Sequence, residues 1–261
     1  MKNFLITTLL ISLFYLPASA GVAILNGLTH THSLVQGQKT TGKVQIRNES
    51  AKPARVIIYK QDLIAVCGQE VNYLNPNGFE HSLSPYLTTT VDEKLLGPNE
   101  EYVLFYTIEL SSEQQLKGSF WSVLMIEGAD PIKEDKSEGL KINSVMRYAI
   151  QIIGDVGTEE STKLGFEDIK VKTIENESQI VTLRLKNEGF FSNKVKVILE
   201  IYNQEGEKIK TLEGTSKRIY PQGCNEFEIE LKGIKKGKYE GILIADNSKD
   251  LFGANLSLEI N

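Results

Sequence analysis

The sequence has few of the residues from which catalytic and metal sites are usually built. Its 261 residues include three histidines, two cysteines and one tryptophan. A hydrolase needs a nucleophile, a base and an orienting acid, but the chain has no Gly-x-Ser-x-Gly elbow, and it lacks phosphate-loop and dinucleotide-binding glycine motifs. Its scattered carboxylates fit solvated strand faces better than a glycosidase pair. We therefore expect no enzymatic activity and no cofactor.

Long apolar runs and a strong excess of one charge are also missing. Lysine and arginine number 29 and acidic residues 34, for a net charge of −5. The basic residues are interleaved with acids, which argues against a nucleic-acid partner. The apolar run at residues 4–16 follows Lys2 and precedes Ala18-Ser19-Ala20, the pattern of a cleaved signal peptide over residues 1–20. No later segment approaches about 18 continuous apolar residues, so we expect no transmembrane segment and an exported chain, periplasmic or at the cell surface.

Beyond the predicted signal peptide, short segments of alternating apolar and polar residues are separated by turn-forming clusters, a pattern typical of half-buried strands. The pattern predicts an all-β protein with two tandem immunoglobulin-like β-sandwiches of about seven strands each. The polar stretch 154–161 has no apolar anchor, and it predicts domains at residues 21–155 and 164–261 with a linker at 156–163. In the second domain, Tyr239 precedes an apolar strand, where such sandwiches often place a tyrosine whose hydroxyl bonds back to the corner.

The first domain is predicted to be organised around residues 118–128, a strand with apolar residues on both faces. Trp121 lies in this strand and is expected to fill one side of the sandwich core. Residues 41–47 and 55–60 alternate on either side of a turn-forming cluster and are interpreted as a hairpin. Residues 61–90 are poor in periodicity, and we expect a long excursion there with at most one short strand.

Cys67 and Cys224 are the two cysteines, and they fall in different predicted domains. Neither domain can therefore hold an internal disulfide. An oxidising compartment permits a bridge between the domains, although two separate thiols are the simpler interpretation. The pattern leaves both alternatives open.

His30 and His32 are two residues apart, and on a strand they would share one face. This is the spacing of a two-imidazole metal clip, which needs a third ligand. His81 and acids such as Asp62 are candidates, but nothing in the sequence brings them close. We therefore expect an exposed polar edge strand in this segment and no metal.

Residues 44–56 (VQIRNESAKPARV) resemble the second and third strands of periplasmic pilus-assembly chaperones, which consist of two immunoglobulin-like domains set at an angle. The resemblance covers residues 21–153 and extends to a last strand at 142–153. In that family the last strand carries alternating apolar residues and a basic anchor for a subunit's C-terminal carboxylate, a role that the resemblance assigns to Arg147. The family's second basic anchor, an arginine on the first strand, has no counterpart among residues 21–33. The second domain is similar to generic bacterial surface immunoglobulin-like modules.

Met146, Tyr148, Ile150 and Ile152 share one face of this last strand and alternate with Arg147. One interpretation is an exposed edge strand that offers main-chain groups and an apolar row to a partner. The other is an ordinary sandwich strand with an exposed arginine. The first makes the chain a non-enzymatic, chaperone-like binding protein that engages an envelope or fibre polypeptide by edge-strand pairing. The alternative is a structural or adhesive cell-surface module that contacts its partner through the long excursion.

Overall fold

The computed structural model of the chain describes residues 21–76, 78–113, 115–129, 145–159, 161–174 and 179–260. The expected signal peptide lies outside these residues, and so do residues 142–144 of the predicted last strand. Within the described part, the regular structure consists of strands β1 to β17 and one short 3-10 turn, Ser84–Tyr86. The strands form two β-sandwiches, which confirms the predicted all-β fold class.

Two facing sheets form the first sandwich. Their strands are β1 (Val22–Ile24), β2 (Thr29–Leu34), β3 (Lys39–Asn48), β4 (Ala54–Ile64), β5 (Asn72–Leu74), β6 (Leu87–Thr89), β7 (Glu93–Leu96), β8 (Glu101–Glu109), β9 (Gly118–Ala129) and β10 (Arg147–Val156). The smaller sheet has the order β1, β3, β8 and β6. The larger has the order β2, β10, β9, β4 and β5, with β7 also paired to β4. The chain therefore changes sheets between β1 and β2.

Side-chain alternation along these strands builds the first core. β3 and β8 pair antiparallel and bury alternate residues, whereas β9, in the middle of the larger sheet, is buried on both faces. Full burial of one large aliphatic side chain contributes roughly 1.5–3 kcal/mol to stability. The core between the sheets includes the side chains of Val44, Ile46, Val56, Leu104, Ile108, Leu124 and Ile150, all fully buried.

The hairpin predicted for residues 41–47 and 55–60 is wrong, because β3 and β4 lie in different sheets. β3 pairs with β1 and β8, whereas β4 pairs with β9, β5 and β7. The turn between them is held by Asn48, whose buried side-chain amide donates to the carbonyl oxygens of Lys52 (2.7 Å) and Gly97 (2.9 Å). The two strands thus face the same core from opposite sides.

The excursion at residues 61–90 is more ordered than predicted, since it contains the end of β4, the strands β5 and β6 and the 3-10 turn. Its anchor is Asp62, which is fully buried. The Asp62 Oδ1 accepts hydrogen bonds from the hydroxyls of Ser82 (2.8 Å), Ser84 (2.7 Å) and Ser122 (2.9 Å), and Oδ2 accepts one from a backbone N–H. A buried carboxylate requires donors of this kind, and these hold the excursion against β9.

Seven strands in two sheets form the second sandwich. They are β11 (Leu164–Thr173), β12 (Gln179–Asn187), β13 (Asn193–Tyr202), β14 (Lys208–Ile219), β15 (Cys224–Glu230), β16 (Gly237–Asp246) and β17 (Leu251–Ile260). The sheet orders are β11, β12, β15 and β14, β13, β16, β17. The hydroxyl of Tyr239 donates to the carbonyl oxygen of Lys235 at 3.0 Å, four residues upstream, which confirms the expected corner bond.

The connection between the sandwiches runs from Val156, the last residue of β10, to Leu164, the first residue of β11. The predicted polar stretch 154–161 begins inside β10, where Gly154 and Val156 are buried and pair with both β2 and β9. Val156 packs in the first core, so the expectation that this stretch has no apolar anchor is wrong. The domain boundary at 156–163 remains a prediction, and proteolysis tests it.

A third apolar cluster, the interdomain seam, lies between the sandwiches and contains Trp121. The Trp121 ring stacks on Tyr220 of the second domain with centroids 4.3 Å apart, and its Nε1–H donates to the carbonyl oxygen of Leu63 at 2.8 Å. The expectation that Trp121 fills the first sandwich is wrong, because successive strand residues point to opposite faces and Phe120 takes the inner position. β9 is central as predicted, but the seam covers its outer face.

Cys67 and Cys224 form a disulfide between the two sandwiches, with their Cα atoms 5.2 Å apart. The interpretation as two separate thiols is therefore wrong. The cysteines are separated by 157 positions in sequence, and their meeting depends on how the sandwiches dock. The two domains are thus joined covalently by the disulfide as well as by the chain between β10 and β11.

Candidate functional site

Strand β10 is paired on both sides along only part of its length. β9 pairs with it antiparallel from Arg147 to Val156, whereas β2 pairs with it in parallel only from Gln151 onward. In the part of the chain that the structure describes, no strand pairs with Arg147–Ile150 on the β2 side. We call Arg147–Ile150 the open edge. The strand predicted as an exposed edge is therefore half covered, because β2 crosses over from the other sheet.

The main chain of the open edge presents specific groups to a partner. The N–H of Gln151 donates to the carbonyl oxygen of Leu28 at 2.9 Å, and the carbonyl oxygen of Met146 accepts from the N–H of a β9 residue at 3.1 Å. In an antiparallel pair, successive residues of a strand alternately direct their backbone N–H and C=O groups toward the paired strand and away from it. Arg147 and Ala149 therefore point their N–H and C=O groups outward, away from β9, while Met146 points its own inward.

The apolar row predicted to receive a partner is largely part of the sandwich core. Ile150 and Ile152 are completely buried between the sheets. Tyr148 packs against the same core, and its hydroxyl donates to the carbonyl oxygen of Val22 at 2.7 Å. Of the four residues, Met146 is the most exposed, with 59% of its surface accessible, and Tyr148 is partly buried. Ile150 and Ile152 face inward and are not accessible to a partner in this arrangement, whereas partner contact by Met146 and Tyr148 stays a prediction.

Arg147 pairs with an acid of its own sheet. Its Nε and one terminal nitrogen each lie 2.9 Å from Oε2 of Glu127, directly opposite on β9. The hydroxyl of Tyr59 donates to the same oxygen at 3.0 Å, and burial together with this bond raises the pKa of Tyr59. About half of the Arg147 side chain remains exposed. A guanidinium has five N–H donors, so Arg147 keeps donors for a carboxylate from outside.

Exposed apolar side chains occur in the two segments that lead into β10 and β2. Leu25 and Leu28, in the crossover between β1 and β2, are 45% and 48% exposed, and Val145 is 54% exposed. Together with Met146 we call these residues the rim. Sequence reasoning missed the two leucines, although they flank an Asn-Gly dipeptide, which marks a turn.

His30 and His32 are half-buried and lie on the face of β2 that contacts Tyr106. The His30 Nδ1 lies 3.0 Å, and the His32 Nε2 2.8 Å, from the hydroxyl oxygen of the buried Tyr106. β2 is an edge strand as expected, and its exposed residues alternate with the half-buried histidines. His81 lies elsewhere, stacked on Trp121. The described residues contain no group of three or more His, Cys, Asp or Glu side chains that could hold a metal ion.

Among known proteins, the chain is similar to solved structures in its fold. No family model matches the sequence, and no curated protein matches it. Among solved structures, a chain from a chaperone–tip adhesin complex of CFA/I fimbriae biogenesis is 13% identical, with a TM-score of 0.50 over 92% of this chain and 98% of that one. The YadV chaperone is 12% identical, with a TM-score of 0.50 over 92% of this chain and 100% of its own.

The chain has the fold of fimbrial chaperones. The likeness spans both sandwiches, so the second domain also matches these chaperones, and the expectation that only residues 21–153 resemble them is wrong. No helix in the described part of the chain is long and apolar enough to cross a membrane. At 12–13% identity the likeness concerns the fold, and the activity has to be argued from the open edge.

Proposed function

We propose that this chain is an exported, non-enzymatic, chaperone-like protein that binds an envelope or fibre polypeptide by strand addition at the open edge. The observation that carries the proposal is the half-paired β10: Arg147 and Ala149 offer outward main-chain groups beside a segment that β2 already pairs. An extended peptide adds to such an edge through main-chain hydrogen bonds. A chaperone of the same fold is found in complex with a tip adhesin, which supports a polypeptide partner.

Main-chain pairing alone would give weak binding. The two N–H and two C=O groups of the open edge can form four hydrogen bonds, each worth roughly 0.5–1.5 kcal/mol net. The loss of translational and rotational freedom on association costs about 4 kcal/mol or more. The apolar rim must therefore contribute, and the partner segment is expected to be a strand whose alternate apolar side chains cover Met146 and Leu28.

Arg147 is the proposed charged contact at the start of the open edge. A partner carboxylate would bond to the guanidinium donors that Glu127 leaves free. Charge-assisted bonds of this kind fix position as well as adding affinity, and lysine can replace them only in part. Arg147 therefore sets the register of the added strand.

Site-specific photocrosslinking in growing cells tests the proposal. A photoreactive amino acid at Met146 is compared with the same amino acid at Tyr73, in the exposed β5, and at Leu251, on β17 of the second domain, which are 41% and 71% exposed. We expect a covalent adduct at Met146 alone, and mass spectrometry should identify it as a fibre or envelope subunit. An adduct at Tyr73 alone would favour the surface module that binds through the excursion, and the absence of any Met146 adduct would contradict the proposal.

A further inference from the structure

Non-covalent contacts join the sandwiches at the seam, at the start of β9, and at Glu159 between β10 and β11, whose carboxylate accepts from the side-chain amide of Asn193 at 3.2 Å. In the seam, Tyr220 stacks on Trp121, and its hydroxyl donates to Oε1 of Gln151 at 2.8 Å. At the start of β9, the N–H of Ser119 donates to the carbonyl oxygen of Phe190 at 2.8 Å. Domains held by limited contacts of this kind move relative to one another by default. A restraint on that motion must come from elsewhere.

The Cys67–Cys224 disulfide is placed to supply this restraint. Cys67 follows shortly after Ile64, the last residue of β4, and Cys224 is the first residue of β15. The backbones also approach closely here, since a Cβ built on Gly223 would lie 3.8 Å from the carbonyl oxygen of Ala65. The bridge thus ties the end of a strand in the first domain to the start of a strand in the second.

We infer that the Cys67–Cys224 disulfide is a redox-sensitive clamp. With the bridge closed the two sandwiches behave as one body, and with the bridge reduced they reorient independently. Access to the two cysteines differs, because Cys67 lies in the exposed run 66–76 whereas Cys224 is 8% exposed. An external thiolate therefore reaches Cys67 first, and a dithiol is the class of partner that can open the clamp. This inference does not rest on the proposed function.

The exchange is a two-electron reduction of the bridge. A thiolate of the dithiol bonds to Sγ of Cys67, the Sγ–Sγ bond breaks, and Cys224 leaves as a thiolate that takes up a proton. The second thiol of the dithiol then attacks its partner sulfur in the mixed disulfide. Cys67 is released as a thiol, and the dithiol becomes an intramolecular disulfide. Closure is the reverse, with an oxidised dithiol accepting the two electrons.

Scanning calorimetry and small-angle scattering of the folded protein test the clamp, with dithiothreitol as the dithiol. The oxidised protein should unfold in one transition and scatter as one compact particle. After dithiothreitol, the transition should split into two, and the radius of gyration should rise as the domains separate. Because the reductant acts on protein that has already folded, a failure to fold cannot produce this result. An unchanged single transition and an unchanged radius in the reduced protein would overturn the inference.

Two controls complete the test. The double variant C67S/C224S should reproduce the reduced behaviour, with or without dithiothreitol, while strand content by circular dichroism stays at the parent level. Brief iodoacetamide treatment of the fully reduced protein should label Cys67 before Cys224, because Cys67 is the exposed residue. Two free thiols in protein purified from an oxidising compartment, or prior labelling of Cys224, would each contradict the assignment.

Discussion

Replacing Trp121 with alanine removes the centre of the interdomain seam. The side chain is 95% buried, stacks on Tyr220 at 4.3 Å, contacts Phe79 at 5.0 Å between ring centroids and donates to the carbonyl oxygen of Leu63. Truncating a buried tryptophan to alanine typically costs about 3–5 kcal/mol through lost burial and the cavity left behind. Leaving the Leu63 carbonyl without its donor adds about 1 kcal/mol or more. The total is a large share of the 5–15 kcal/mol that usually stabilises a domain.

Urea unfolding followed by circular dichroism is the appropriate assay, because Trp121 is the single tryptophan and the substitution removes the fluorescence probe. W121A should lower the free energy of unfolding of the oxidised protein, which unfolds in one transition, by about 4–6 kcal/mol. The matched control, W121F, keeps an aromatic ring against Tyr220 and should lose considerably less free energy of unfolding than W121A. A W121A protein that unfolds within about 1 kcal/mol of the parent would refute the account of the seam.

Three further predictions concern charge, pH and the linker. R147E places a second carboxylate opposite Glu127, which should lower the free energy of unfolding by about 1 kcal/mol or less. The same substitution should abolish partner binding, and R147Q is the neutral control. An R147E variant that still binds with parental affinity would refute the role of Arg147. Burial and, secondarily, His30 lower the pKa of His32, so the unfolded chain binds the extra proton and stability should fall as pH drops below about 6.5. As the pH drops, the melting temperature of H32N should fall less than that of the parent protein. Equal pH dependence of the two melting temperatures would contradict this. Limited proteolysis should cut within residues 157–163 and yield two folded fragments, which separate on gels only after reduction of the disulfide. A single protected fragment that spans this stretch would contradict the predicted domain boundary.

The alternation of residues predicted which segments are strands but not which strands are neighbours. β3 and β4 alternate on either side of a short turn whether they pair in one sheet or face each other across the core. The capping bonds of Asn48, rather than any periodicity, carry the chain from one sheet to the other. The corner tyrosine was predictable because Tyr239 bonds to a residue four positions upstream, a purely local contact.

The features that define the seam and the open edge depend on contacts distant in sequence. Trp121 and Phe120 are adjacent apolar residues on opposite faces of β9, and Trp121 is buried by the excursion of the first domain together with Tyr220 of the second. Tyr148, Ile150 and Ile152 belong to a strand that is half covered by β2, so their alternation could not distinguish a core face from a binding face. For the same reason the disulfide could be stated only as one of two alternatives.

Residue-resolved hydrogen exchange of β10 by NMR tests the central claim most directly. The amides of Arg147 and Ala149 point outward and are expected to exchange fast in the free protein, whereas those of Tyr148 and Ile150 bond to β9 and exchange slowly. On addition of the polypeptide captured at Met146, the account predicts strong slowing at Arg147 and Ala149 with little change at the other two. Unchanged exchange at Arg147 and Ala149 in the complex, with new protection confined to β5, would contradict strand addition at the open edge.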